Sequence, residues 1–222
     1  MTKKDQQIPS PAVTHFPSPI VKEKVALSEE EKIDKIAERF REIMEILGLD
    51  VTDDSLAKTP QRIAKMYVQE IFSGLDEANF PKISFFKKDD KHHHEEKPNM
   101  VFVKVGFTSF CEHHFVPMAG FAYVAYLPGK KLIGLSKIPR IVRFFASRPQ
   151  LQERLTAQIA DSLALLLETD DVAVSVNARH YCVRARGIQD ENSMMITNIL
   201  RGQFKTKDEL RREFFEAINR QN

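Results

Sequence analysis

Two short segments hold both cysteines of the chain: Cys111-Glu112-His113-His114, and His180-Tyr181-Cys182 about seventy residues downstream. For the two to act together, the fold must bring the ends of two distant elements to one place. A Cys-x-x-His step lets two donors close on one ion from a single turn, and His180 and Cys182 share a face when both lie on a strand, where side chains alternate. Read this way, Cys111, His114 and Cys182 form a three-ligand zinc site with an open fourth position, the arrangement of catalytic rather than structural zinc. His113 and His180 are left beside it, imidazoles suited to proton transfer near neutral pH. Two other readings use the same residues: a disulfide, or a partly buried and inert His pair. The polar N-terminus has several Pro and no signal-peptide h-region, which points to a reducing cytoplasm and weighs against the disulfide.

At 222 residues and 42% hydrophobic content, the chain can bury one core of domain size with an appended helical region. A net charge of +2 gives no general footprint for nucleic acid, so an anionic ligand must be met by a local cluster of Arg and Lys. No apolar run approaches twenty residues, so no membrane span is expected.

Residues 1–27 are too sparse in apolar groups to form a face and read as a mobile arm. Ser28 and Glu31 form a capping box, after which Ile33, Ile36, Phe40, Ile43 and Leu47 recur at helical spacing up to Gly48. Thr59-Pro60 opens a second helix, which Ile63, Met66, Tyr67 and Ile71 continue to Gly74. Residues 28–98 are therefore a helical region, closed by the charged stretch 87–98. Its His92, His93 and His94 could bind metal opportunistically, but the run reads as a tolerated, solvated insertion.

From residue 99 to 222 the period changes. Val101, Val103, Val105 and Phe107 alternate, Phe121 to Leu127 is apolar on both faces, and Val172, Val174 and Val176 lead a strand into His180 and Cys182. Helices are expected at Ile138 to Phe145 and Leu151 to Leu167, with a last one opened by a Thr206/Glu209 capping box. The order predicts an α+β fold, an antiparallel sheet with helices on one face. If the strand stays regular past Cys182, Arg184 and Arg186 join His180 on its face and extend the site with positive charge. Ser136 and Lys137, just before a helix with Arg140 and Arg143, offer a second place for phosphate.

These motifs strongly resemble the GTP cyclohydrolase I family, of the tunnelling fold. The similarity lies in Ser109-x-Cys-Glu-His-His114, Ile133-Gly-Leu-Ser-Lys137, Arg140, Arg148-Pro-Gln-Leu-Gln-Glu-Arg154 and His180-Tyr-Cys-Val-Arg-Ala-Arg-Gly187, with Asp53-Asp-Ser-Leu and Thr59-Pro-Gln-Arg-Ile-Ala-Lys-Met-Tyr67 upstream. It covers nearly everything from Ser28 onward. The resemblance implies Zn2+ on Cys111, His114 and Cys182, and hydrolytic opening of the guanine imidazole ring of GTP, giving formate and dihydroneopterin triphosphate. It makes His180 the group that protonates the purine nitrogen and His113 a second acid-base group. It makes Glu153 the guanine selector with Gln152 on the same edge, and places Leu135, Ser136, Lys137, Arg140, Arg186 and Arg62 against the substrate, mainly its triphosphate. It further implies a homodecamer of two stacked pentamers with shared active sites. The chain departs from the family at Ser193-Met-Met-Ile-Thr197, more apolar than the usual Thr-rich stretch, and in its longer His-bearing loop.

Overall fold

A computed structural model describes residues 19–21, 27–87, 100–129 and 131–221. Most of the expected arm and the 88–99 part of the charged stretch, including His92, His93 and His94, lie outside the described residues.

The first helix, α1 (Glu29–Ile46), starts on the expected capping box: the Glu31 amide donates to Ser28 Oγ at 3.1 Å, and the Ser28 amide donates to the Glu31 carboxylate at 2.7 Å. Gly48 closes it at φ +80°, a conformation costly for other residues. The buried stripe is Ile33, Ala37 and Met44 rather than the one expected to end at Ile43 and Leu47, which are 47% and 70% exposed. Phe40 sets the phase by packing its ring on Tyr67 at 5.4 Å. The second helix, α2 (Thr59–Lys65), runs on as a π-helix through Ile71 and ends in 3-10 turns.

Strands β2 (Val101–Cys111), β3 (Pro117–Tyr126) and β6 (Val172–His180) form the middle of a five-stranded sheet, flanked by the short β5 (Pro149–Gln150) and by β7 (Met195–Leu200). The spatial order is β5-β2-β3-β6-β7, antiparallel except for the β2/β5 contact. Because β3 runs antiparallel to both neighbours, β2 and β6 point the same way and end at one rim: Phe110 faces Pro117, and Met118 faces His180. A separate pair, β1 (Phe85–Lys87) with β4 (Lys131–Ile133), leads into the third helix.

One sheet face, with Val103, Val105, Ala122, Val124, Val172, Val174 and Val176, buries itself under α3 (Lys137–Ala146) and α4 (Gln152–Leu167). These are the two helices the apolar spacing predicted. Residues of the opposite parity, Tyr123, Ala125 and Ala173, meet Phe204, Phe214 and Ile218 of α6 (Gly202–Thr206) and α7 (Asp208–Asn219). The C-terminal pair thus covers part of the second face. Its cap is one residue later than expected: α7 starts at Asp208 with Lys207 in the cap position, and the Thr206 hydroxyl donates to Gly202 O, one turn back within α6.

Arg148 fastens the helical region to this core. Its side chain is 1% exposed, its Nε donates to Gly74 O at 2.6 Å, and its guanidinium lies over the Phe144 and Phe145 rings. Burial pulls its pKa down to about 10, against the opposing charge of Glu77. Gly74 in turn donates from its amide to Ser147 O at 2.8 Å, and a Cβ there would lie 2.1 Å from Phe144 O. Gly74→Ala is therefore expected to lower stability by about 1–3 kcal/mol or more, since backbone and not a flexible side chain must yield; urea denaturation followed by circular dichroism checks this.

Candidate active site

At the shared rim, β2 ends in a turn that carries the first Cys-His segment. The Cys111 amide donates to Val116 O and the Phe115 amide to Cys111 O, so residues 111–116 are closed by their own backbone. Phe115 takes φ +53°, a left-handed conformation rare for a large side chain. Its ring packs against Phe72 at 5.0 Å and Tyr67 at 6.4 Å, so the N-terminal helical region holds the turn from outside. The His113 and His114 rings diverge, 84° apart with centroids separated by 6.3 Å.

The second segment departs from expectation. Strand β6 stops at His180, and Tyr181–Arg184 form a single helical turn, α5, closed by the Ala185 amide on Tyr181 O. Cys182 therefore reaches the first segment from a helical turn, not from strand alternation. The parity that placed Arg184 and Arg186 beside it does not hold either. Arg186 still arrives, with Nη1 2.8 Å from His114 Nε2, whereas Arg184 lies near the Tyr181 ring.

Cys111, His114 and Cys182 offer donor atoms that all lie within 4.8 Å of one another, and the two cysteines are free rather than paired. Two thiols and one imidazole are a donor set suited to zinc, whose tetrahedral ligands stand about 3.5–4 Å apart, so only a small closure is needed. Burial, and then the neighbouring Cys111, push the Cys182 thiol above its ordinary pKa, with Arg186 opposing. A divalent cation reverses that penalty, because a coordinating thiol is deprotonated outright.

Gln152, at the start of α4, is 1% exposed and fully committed inside the protein. Its Nε2 donates to Val176 O at 2.9 Å and Met195 O at 3.0 Å, with Thr197 Oγ1 at 3.2 Å, and its Oε1 lies 2.8 Å from His180 Nε2. Two carbonyls can only accept, so the amide nitrogen must face them and the oxygen must face the ring. His180 therefore carries its hydrogen on Nε2 and keeps Nδ1 as the atom free to exchange a proton. Burial lowers the His180 pKa and the charge of Glu153 partly offsets this, which favours the neutral ring. Gln152, expected on the guanine edge, thus faces inward. Thr197, bonded to Thr156 at 2.6 Å as well as to Gln152, was hidden in the apolar stretch that departs from the Thr-rich pattern.

Glu153 is exposed in the first turn of α4, one residue from Gln152. Residues Leu135, Ser136, Lys137 and Arg140 are not brought to this rim. The C-terminal end of α3 is beside it, where Ala146 O accepts from Ser109 at 2.6 Å, so the Lys137 end stands about 15 Å further along the helix axis. Arg62 is exposed on α2.

Residues 36–219 match the GTP cyclohydrolase I family. The chain is 56% identical over 189 residues to GTP cyclohydrolase 1 of Vibrio cholerae, spanning 85% of each chain. It is 57% identical over 193 residues to the enzyme of that name from Photobacterium profundum, spanning 86% of this chain and 87% of the other. The chain belongs to the GTP cyclohydrolase I family. This agrees with the expected family and fold, and the Cys-His-Cys group lies within the matched residues. No helix among the described residues is long and apolar enough to cross a membrane. If this trio holds zinc, Cys182→Ser is expected to cut the zinc content, measured by elemental analysis after dialysis, to less than about a tenth of the parent level, since loss of a direct ligand exceeds the roughly 10–100-fold cost of losing an outer partner.

Proposed function

We propose that this chain hydrolyses GTP to formate and 7,8-dihydroneopterin triphosphate in the cytoplasm, the first step of tetrahydrofolate and pterin synthesis, with Zn2+ held by Cys111, His114 and Cys182. The observation that carries this reading is the convergence, at one sheet rim, of that donor trio with a tautomer-fixed His180 and the exposed carboxylate of Glu153. It is supported by relatives that bear the name GTP cyclohydrolase 1.

Zinc, when bound, supplies Lewis-acid activation of the water that adds at C8 of guanine. His180 handles the proton destined for the purine nitrogen, through Nδ1, while Gln152 retains the hydrogen on Nε2. His113, 3.9 Å from Cys111 Sγ through its Nδ1 and edge-on to the His114 ring, is a second proton carrier for the later hydrolytic and rearrangement steps. Glu153 accepts from N1-H and the exocyclic amine of guanine, a donor pair that adenine lacks. Arg186 meets the negative charge of the triphosphate.

The remaining phosphate contacts, Ser136, Lys137 and Arg140 with Leu135 and Arg62, come from a neighbouring copy. A helix that places Lys137 about 15 Å from its own rim supports this. The assembly proposed with it is a homodecamer of two stacked pentamers with sites shared between subunits. Exposed Phe121 and Ile196, on the sheet face that α6 and α7 only partly cover, fit burial between copies.

Metal-replete protein incubated with GTP is expected to release formate and, after oxidation, a fluorescent pterin; no formate, or equal turnover of ATP, defeats the proposal. His180→Ala is expected to keep its metal and lose ring opening. Gln152→Leu is expected to lower kcat by about 10–100-fold, the usual cost of losing an outer partner of a site residue. KM for GTP should barely move, because the carboxamide does not face the substrate; a large KM effect would return Gln152 to the guanine edge.

A further inference from the structure

The first turn of α4 sends three consecutive residues in three directions. Gln152 points inward to His180, Glu153 stands exposed, and Arg154 reaches sideways to Glu112, the residue between the Cys111 ligand and His113. The Arg154 guanidinium grips the Glu112 carboxylate with both arms, Nη1 at 2.5 Å and Nη2 at 3.3 Å, and the two side chains are only 23% and 18% exposed. A fork-on-carboxylate contact fixes angle as well as distance, which a single surface ion pair does not.

The backbone repeats the same link. Cys111 is in register with Gln150 across the parallel β2/β5 contact, and the Glu112 amide donates to Gln150 O at 3.0 Å. A cation in a helix's first turn is disfavoured by the helix dipole, so Arg154 must be compensated there by its partner. Nothing in packing requires it: the buried stripe of α4 is carried by Leu155, Ile159 and Leu163.

We propose that Arg154 and Glu112 are a pair of positioning residues that set the metal turn against the start of α4, and so fix the distance between the metal-bound reaction centre and the guanine-reading carboxylate of Glu153. Neither residue touches substrate. The proposal rests on the assignment of zinc and GTP to this site. Breaking the pair lets the Cys111–His114 turn drift from Cys182 and from Glu153 together, so metal affinity and substrate affinity fall together.

The test compares the full chain with Arg154→Gln, Arg154→Glu, Glu112→Arg and the exchange Glu112→Arg/Arg154→Glu. Zinc affinity is read by competition with a chromophoric chelator, KM and kcat by formate release from GTP, and folding by thermal melting. The single reversals are expected to weaken zinc binding about tenfold and to raise KM for GTP about tenfold. The exchange should restore most of both, because it places the carboxylate at the helix start and the cation on the turn. Arg154→Gln, the mildest change, is expected to fall between and to remain folded. Unchanged zinc affinity and KM in the folded single variants overturn the proposal, as does an exchange no better than either reversal. If zinc affinity follows this pattern while the parent chain makes no formate from GTP, the positioning role of the pair stands and the assigned reaction falls.

Discussion

Everything at the site depends on β3 being paired on both sides. A central strand running against two neighbours forces those neighbours to run alike, and so β2 and β6 deliver Cys111 and His180 to one rim from positions far apart in sequence. The register is held by the buried face, since a slip of one residue would turn Val103, Val124 and Val174 away from α3 and α4. Gly120 adds a second lock: a Cβ there would sit 1.9 Å from Asn177 O, so the two strands approach more closely than any side chain would permit. Hydrophobic registry thus becomes the alignment of donor atoms.

Much of this could be read before any coordinates. Alternating valines marked the strands, capping chemistry marked the start of α1, and the two Cys-His segments marked the donor trio, because periodicity and donor type are local properties. What was misread depends on long-range geometry. Strand parity past His180 failed because the chain turns into α5 at the rim, where β6 loses its pairing partner. Thr206 is not the cap because the last helix begins at Asp208 with Lys207 in the cap position, leaving Thr206 in the preceding helical turn. The family resemblance sets Gln152 on the guanine edge beside Glu153, and no local signal shows that its carboxamide turns inward. Its actual partners, the carbonyls of Val176 and Met195, belong to strands that only the tertiary fold brings together. The short strands β1, β4 and β5 carry too few residues for any period to show, and β7 lay in the stretch read only as a family departure.

The appended helical region does more than cover the core. Arg148 and Gly74 tie its last turns to the end of α3, and the ring series Phe40, Tyr67, Phe72 and Phe110 continues that tie to the rim. Edge-to-face contacts of this kind each add about 0.5–1.5 kcal/mol beyond burial, and their geometry is directional. The helices and the sheet therefore share one mechanical frame. At the site that frame is cross-linked by the Arg154–Glu112 fork, the β2/β5 contact and the Gln152 amide.

Phe115 shows what such a frame makes possible. Holding a large side chain at φ +53° costs on the order of 1–3 kcal/mol, and ring contacts with Phe72 and Tyr67 offset it. The curvature of the donor turn is therefore settled by the fold itself. The spacing of Cys111 and His114 is in that sense inherited from helices that contribute no donor to the trio.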